Sequence, residues 1–239
     1  MLQWIRSAIF VFQIYLMMLL IGIFFLPGAL VSRTAARYAC KTYCRWVFWT
    51  MRWMVGIQPI LRGTPPQGEV LVAAKHQSFL DIMMIFEASP SAKFIMKREL
   101  LWTPVIGLYA QRIGCVAVDR GKKGAAVEKM LRDVEQGSAE PGQLIIYPQG
   151  TRVPPGVEAP YKAGIHALYN QMEQPCLPVA TNVGLFWPRK GIIRRPGTAI
   201  VEFLDPIAPG LERLEFMQAL ETLVESKSNS LMREGGFDA

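Results

Sequence analysis

Between Ala8 and Leu26 the chain reads AIFVFQIYLMMLLIGIFFL, with Gln13 the one strongly polar side chain in the run. A helix needs about 20 mostly apolar residues to cross a hydrocarbon core, where every backbone N–H and C=O must be satisfied within the segment. This stretch meets that requirement, and Pro27-Gly28 ends it. Only Arg6 lies before it, whereas Arg33, Arg37, Lys41 and Arg45 follow closely. The bias of cationic residues toward the cytoplasmic side then puts the body of the chain in the cytoplasm. A cleaved signal peptide is the competing reading, but the run is long for one and the basic residues just downstream oppose export.

Residues 43–57, YCRWVFWTMRWMVGI, interleave Trp and Phe with Arg45 and Arg52. Such a mixture suits either the level where headgroups meet acyl chains or an ordinary helix packed on a globular domain. The first segment either spans the bilayer or folds back on this second one as a re-entrant pair. Residues 1–57 are thus expected to form a membrane anchor with an interfacial helix, and 58–239 an α/β domain, with a linker near residues 58–68. Composition agrees, since the chain is 51% hydrophobic and carries 26 Lys and Arg against 19 Asp and Glu. A basic balance suits nucleic acid, an anionic membrane or a phosphorylated substrate. The apolar N-terminus favours the last two, and no aromatic-basic module for nucleic acid is evident. Cys40, Cys44, Cys115 and Cys176 form neither a zinc signature nor a disulfide framework, so no metal is expected.

Beyond the Pro/Gly-rich stretch at 63–68, short apolar runs alternate with amphipathic ones. Strands are predicted over Glu69–Ala74, Lys93–Met96, Cys115–Val118, Leu144–Tyr147, Cys176–Val183 and Thr198–Leu204. Helices are predicted over Ser78–Ala88, Lys122–Glu135 and Tyr161–Gln171, with a polar helix closing the chain. Strands separated by helices imply a mostly parallel mixed sheet covered by helices on both faces.

The polar residues that look chemical sit where strands end. His76 and Asp81 follow the first of these strands, Lys97 the second, Asp119-Arg120 the third, and Gln149-Gly150-Thr151-Arg152 the fourth. In an open α/β sheet the carboxyl ends of the strands share one rim, where ligands bind, so these groups should converge. Residues five apart do not face each other on a regular helix. If His76 ends the strand and Ser78 caps the next helix, however, Asp81 lies in the first turn and can reach back to the imidazole. It would fix the ring's tautomer and leave the other nitrogen free to take a proton. The same Ser78-x-x-Asp81 spacing also fits a purely structural capping box. Gly150, Thr151 and Arg152 suit an anion cradle, through close backbone approach, a hydroxyl donor and a bidentate guanidinium. His166 falls on a predicted helix as a packing or surface residue.

Taken in order, His76-x4-Asp81, Gly114-Cys-Val-Ala-Val-Asp119-Arg120, Pro148-Gln-Gly-Thr-Arg152 and Leu177-Pro178-Val179 resemble the four blocks of the glycerolipid acyltransferases, most closely the bacterial 1-acylglycerol-3-phosphate acyltransferases. Lys97-x-Glu99-Leu100, Pro104-x-x-Gly107 and Lys162-Ala-Gly164 agree, and the resemblance covers about residues 60–210. One position departs: Gln149 stands where the family usually carries Glu, keeping hydrogen-bonding capacity without the charge.

The resemblance implies an enzyme of the bacterial inner membrane, its catalytic domain facing the cytoplasm. It would move an acyl chain from acyl-CoA or acyl carrier protein to the 2-hydroxyl of lysophosphatidate, giving phosphatidate, with no cofactor beyond the donor. His76 would be general base with Asp81 steering it, and Arg120, Thr151, Arg152, Gly150 and Lys97 would hold the acceptor phosphate. Three other readings stay open: another lyso-lipid acceptor such as a lyso-ornithine lipid, an ester or thioester hydrolase, and a non-catalytic lipid-binding protein.

Overall fold

The computed structural model describes residues 1–119, 128, 131, 132, 134 and 142–237. Two long helices open the chain. Helix α1 (Leu2–Phe24) gives way through a short α2 (Leu26–Val31), with Pro27 in its first turn, to α3 (Arg33–Met54). Ser32 caps α3 by accepting from Ala35 N–H, a bond that satisfies one of the free donors at a helix start. At 23 residues, α1 is roughly 34 Å long, slightly more than a hydrocarbon core is thick. It packs back along α3, which joins the two apolar segments in one hairpin.

Gln13 explains how that hairpin tolerates a polar group. Its Nε2 donates to Thr50 Oγ1 at 3.0 Å and its Oε1 accepts from Trp46 Nε1 at 2.7 Å. Both ends of the amide are therefore satisfied by α3, as an apolar setting demands. Elsewhere α1 leaves apolar side chains uncovered: Ile5, Ile9, Phe12, Leu16, Leu19, Leu20 and Ile23 are exposed, and α3 adds exposed Tyr38, Trp49 and Trp53. The helix is long and apolar enough to cross a membrane, and an exposed apolar surface of this extent marks an interaction site for a membrane or another protein. The opposite side of α1 docks on the domain. Phe10 is fully buried and meets Trp187 edge to face at 5.5 Å; burying one such ring contributes about 1.5–3 kcal/mol.

Among the described residues, the domain is built on a seven-stranded sheet ordered β1-β7-β6-β2-β5-β3-β4. Its strands are β1 (Ile57–Arg62), β2 (Val70–Ala74), β3 (Lys93–Lys97), β4 (Val116–Val118), β5 (Gln143–Ile146), β6 (Cys176–Thr181) and β7 (Gly197–Phe203). All neighbours pair in parallel except β6 with β7. The domain helices whose ends lie in described residues are α4 (Phe79–Ala88), α5 (Ile106–Arg112), α6 (Gly164–Met172) and α7 (Arg213–Glu234). Residues of β2 alternate between two apolar clusters: Val72 and Ala74 pack with α3 and α4, Leu71 and Ala73 with α6 and α7. That double burial is why β2 is an uninterrupted apolar run.

Two expectations need correction. The stretch read as a linker contains β1, which pairs with β7 from Ile57↔Gly197 to Arg62↔Glu202. Pro59 disguised it, since proline cannot donate to a ladder; β1 lies at the sheet edge, where that loss is tolerated. The helix expected from Tyr161 begins only at Gly164, leaving Tyr161 and Lys162 in the preceding loop. The helix expected over Lys122 to Glu135 falls mainly outside the described residues.

Candidate active site

Strands β2, β3, β4 and β5 are parallel, so their carboxyl ends share one rim. The β6–β7 connection belongs to the same rim, because β7 runs back from it. His76 lies two residues past the end of β2, and Ser78 (φ −146°, ψ 176°) caps α4. Asp81 is then the third residue of the helix. Its two carboxylate oxygens divide the work. Oδ1 accepts from His76 Nδ1 at 2.8 Å, while Oδ2 accepts from the backbone N–H groups of Gln77 and Ser78 at 2.9 and 2.7 Å. The capping box and the imidazole partner, alternatives in the sequence, are the same residue performing both roles.

This arrangement fixes the ring. Asp81 is fully buried, whereas the His76 side chain keeps 13% exposure. With Nδ1–H donated to the carboxylate, the neutral imidazole presents an unprotonated Nε2. Tyr147, at the end of β5, stacks on the imidazole with centroids 3.9 Å apart and planes 20° apart. Burial, with the Asp81 carboxylate nearby, holds the Tyr147 phenol well above its ordinary range, so it stays neutral. The stacked ring clamps the imidazole plane without competing for its proton.

His76 lines a cavity of about 430 Å3, a size typical of small-molecule sites. Its mouth is polar: Thr151, Arg152, Lys97 and Arg189 join the imidazole there. Its interior is almost wholly apolar, walled by Met83 and Phe86 of α4, Tyr109 and Ile113 of α5, Cys40 and Cys44 of α3, and Met18 and Ile21 of α1. The α1–α3 hairpin therefore supplies part of the pocket wall.

The loop after β5 is locked to the loop after β2, since Val153 N–H donates to the His76 carbonyl at 2.8 Å. Gly150 turns this loop at φ +69°, and a Cβ there would come within 2.6 Å of Lys162 Nζ. A left-handed residue with a side chain costs about 1–2 kcal/mol. Gly150→Ala is thus expected to lower the thermal midpoint by about 2–8 °C and to displace Lys162. An unchanged melting curve would show that this turn is not left-handed.

Of the residues expected from sequence, His76, Thr151, Arg152 and Lys97 line this cavity, Asp81 lies buried behind the imidazole it bonds, and Gly150 immediately precedes Thr151. Lys97 is exposed and paired with Glu99 at 2.8 Å. Arg120 lies outside the described residues. His166 packs against Tyr169 and Phe216, away from the cavity. Arg189 was not anticipated. It sits in the β6–β7 connection and donates to the Arg152 carbonyl at 2.9 Å. That connection is shaped by Arg194, whose guanidinium lies 4.6 Å over Trp187 and donates to the carbonyls of Gly191 and Ile192. Gln3 and Ser7 tie the same loop to α1. The Arg189-Lys190 pair was the available signal, but nothing local marks a loop as reaching back to the rim.

The arrangement offers one aligned base, a cationic mouth and an apolar interior, which suits proton removal from an amphiphile bearing an anionic group. Comparisons with known proteins agree. Over 177 residues the chain is 29% identical to the 1-acyl-sn-glycerol-3-phosphate acyltransferase of Pseudomonas aeruginosa, covering 73% of this chain and 69% of that one. Over 193 residues it is 27% identical to the mouse 1-acyl-sn-glycerol-3-phosphate acyltransferase alpha, covering 78% and 68%. The crystal structure of the 1-acyl-sn-glycerophosphate acyltransferase of Thermotoga maritima shares the fold, with TM-score 0.78 and 19% identity over 96% of this chain and 97% of that one. Residues 58–182, more than half the chain, match the family model described as Acyltransferase, and with the base, the cationic mouth and the apolar pocket in one place, this chain belongs to the acyltransferase family.

Proposed function

We propose that this protein transfers an acyl chain from a thioester donor, acyl-CoA or acyl carrier protein, to the 2-hydroxyl of 1-acylglycerol-3-phosphate, giving phosphatidate. The single observation that carries this reading is that the imidazole, the cationic loop and the apolar pocket open onto one another beside a lipid-facing helix. An aliphatic hydroxyl is barely ionised at neutral pH, so its attack on the thioester carbonyl needs a positioned base. His76 Nε2 takes the hydroxyl proton as the oxygen–carbon bond forms, and Asp81 steadies the imidazolium. The tetrahedral intermediate then expels the donor thiolate, which takes a proton back from His76. No acyl-enzyme is formed, and the reaction draws on no metal or redox group.

Thr151, Arg152, Arg189 and Lys97, together with Arg120, hold the acceptor phosphate, and that grip orders the hydroxyl against the base. The apolar interior receives an acyl chain. The domain faces the cytoplasm of a bacterial inner membrane, where soluble thioester donors are available and where the basic start of α3 would lie.

Arg152→Ala removes a charge-assisted contact worth about 1.5–3 kcal/mol, so the KM for lysophosphatidate should rise roughly 10- to 100-fold while that for the donor stays fixed. A phosphate-free lyso-lipid should be used equally well by both proteins. Equal loss on both acceptors would remove the phosphate clamp. Product analysis with a labelled donor tests the reaction itself: phosphatidate supports transfer, and free fatty acid in its place would make the protein a hydrolase.

A further inference from the structure

Behind the site, one carboxylate serves three donors from three separate segments. Glu225, midway along α7, accepts from Lys75 Nζ through both oxygens, at 2.8 and 2.6 Å. Its Oε1 also accepts from Gln149 Nε2 at 3.3 Å and from Tyr161 OH at 3.0 Å. Lys75 and Gln149 are 3% and 4% exposed. These positions are not arbitrary, because Lys75 immediately precedes the imidazole and Gln149 immediately precedes Gly150-Thr151-Arg152. Neighbouring α7 residues brace the same elements: Met232 Sδ accepts from Gln77 Nε2, and Ser228 Oγ accepts from Thr181 N–H.

The charge count of this cluster constrains residue 149. A buried ammonium needs a counter-charge, and Glu225 supplies one. A second carboxylate at 149 would stand against the first with a single ammonium between them, which low-dielectric surroundings penalise. An amide instead donates to Glu225 and, through the same nitrogen, to the Ala159 carbonyl at 3.2 Å. Gln149 is therefore the residue type that lets one carboxylate hold both strand ends. Burial, and Glu225 beside it, keep the Tyr161 phenol well above its usual range, so it too remains a donor.

We infer that Glu225 is a positioning residue for the acceptor-binding loop, with Gln149 and Lys75 as its obligatory partners, and that the negative charge of this cluster can reside at 225 or at 149 but not at both. The inference rests on residues 150–152 contacting the acceptor. It adds that the loop is held from behind by a helix about 75 residues further along the chain, which gives that polar helix a role in substrate binding.

The test is a charge-relocation series in the full chain, assayed in lipid nanodiscs. Glu225→Gln should raise the acceptor KM about tenfold while kcat and the donor KM change less than about threefold. Gln149→Glu alone should do the same by repulsion. The double variant Glu225→Gln/Gln149→Glu should return the acceptor KM to within about threefold of the parent, because the charge has moved by one hydrogen-bond length. A merely structural role would change the melting midpoint and leave the split between KM and kcat untouched. Failure of the double variant to recover overturns the relocation, and an unchanged KM in Glu225→Gln overturns the positioning role. Should Glu225→Gln not fold, Tyr161→Phe, which keeps the ion pair, should raise the acceptor KM about threefold, and no rise overturns the proposal. Hydrogen exchange at the Gly150 and Val153 amides supplies a readout free of substrate. Exchange should quicken in each single variant and slow again in the double. If the parent protein does not acylate lysophosphatidate, the proposed function fails by itself, and the exchange pattern still decides the role of Glu225.

Discussion

Replacing His76 with alanine should lower acyl transfer by about 10²- to 10⁴-fold in kcat, the range a well-placed general base contributes. The acceptor KM should change little, since the phosphate-binding groups are carried by other strand ends. His76 is a boundary residue between protein and cavity: its carbonyl is bonded to Val153 N–H and its ring lies on Tyr147. Deleting the ring leaves the backbone bond and the β2 pairing in place, so the fold should survive. Steady-state kinetics with a circular-dichroism melt check both halves. Full turnover in a folded His76→Ala protein would leave the mechanism without its base.

Asp81→Asn should be nearly as damaging to turnover, for a different reason. A carboxamide has one acceptor oxygen where the carboxylate has two. The two backbone N–H groups at the start of α4 sit at 2.9 and 2.7 Å, and they are expected to retain that oxygen. The amide nitrogen then faces His76 Nδ1 and donates to it, which drives the ring proton to Nε2, the nitrogen that must accept. Loss of about 10²- to 10⁴-fold in kcat is expected from the inverted tautomer. Stability should fall by only about 1 kcal/mol, because the helix cap is weakened rather than removed. Asp81→Ala separates the two roles: it abolishes the cap as well, and unfolding should come at distinctly lower denaturant. If Asp81→Asn keeps normal kcat, the carboxylate is only a cap. Nitrogen-15 chemical shifts of the His76 ring report the tautomer directly.

Much of the domain could be read from local pattern. The β2 run Val70–Ala74 was legible because a strand buried on both faces is apolar without interruption, and the α4 start because Ser78 and Asp81 have capping spacing. Less legible were segments whose character depends on a distant partner. Residues 58–62 read as part of a linker until β7 lies beside them. Tyr161 reads as helical until its hydroxyl is seen reaching Glu225. The closing helix reads only as polar, yet α7 buries the stripe Phe216, Leu220, Val224 and Ser228 at a four-residue spacing. Glu225, beside that stripe, looks like a solvated charge until Lys75 is placed against it.

Local chemistry by itself determined the apolar anchor segment, the strand–helix alternation, and which residue types follow each parallel strand. These depend on short-range rules of length, periodicity and capping, which act within a few residues. Only the tertiary structure decided that Arg189 enters the cavity mouth, that α1 and α3 wall the pocket, and that one carboxylate, 150 residues from Lys75 and 76 from Gln149, ties the segment after β2 to the segment after β5. Those meetings follow from how the sheet order and the packing of α1, α3 and α7 bring segments distant in sequence to a single rim.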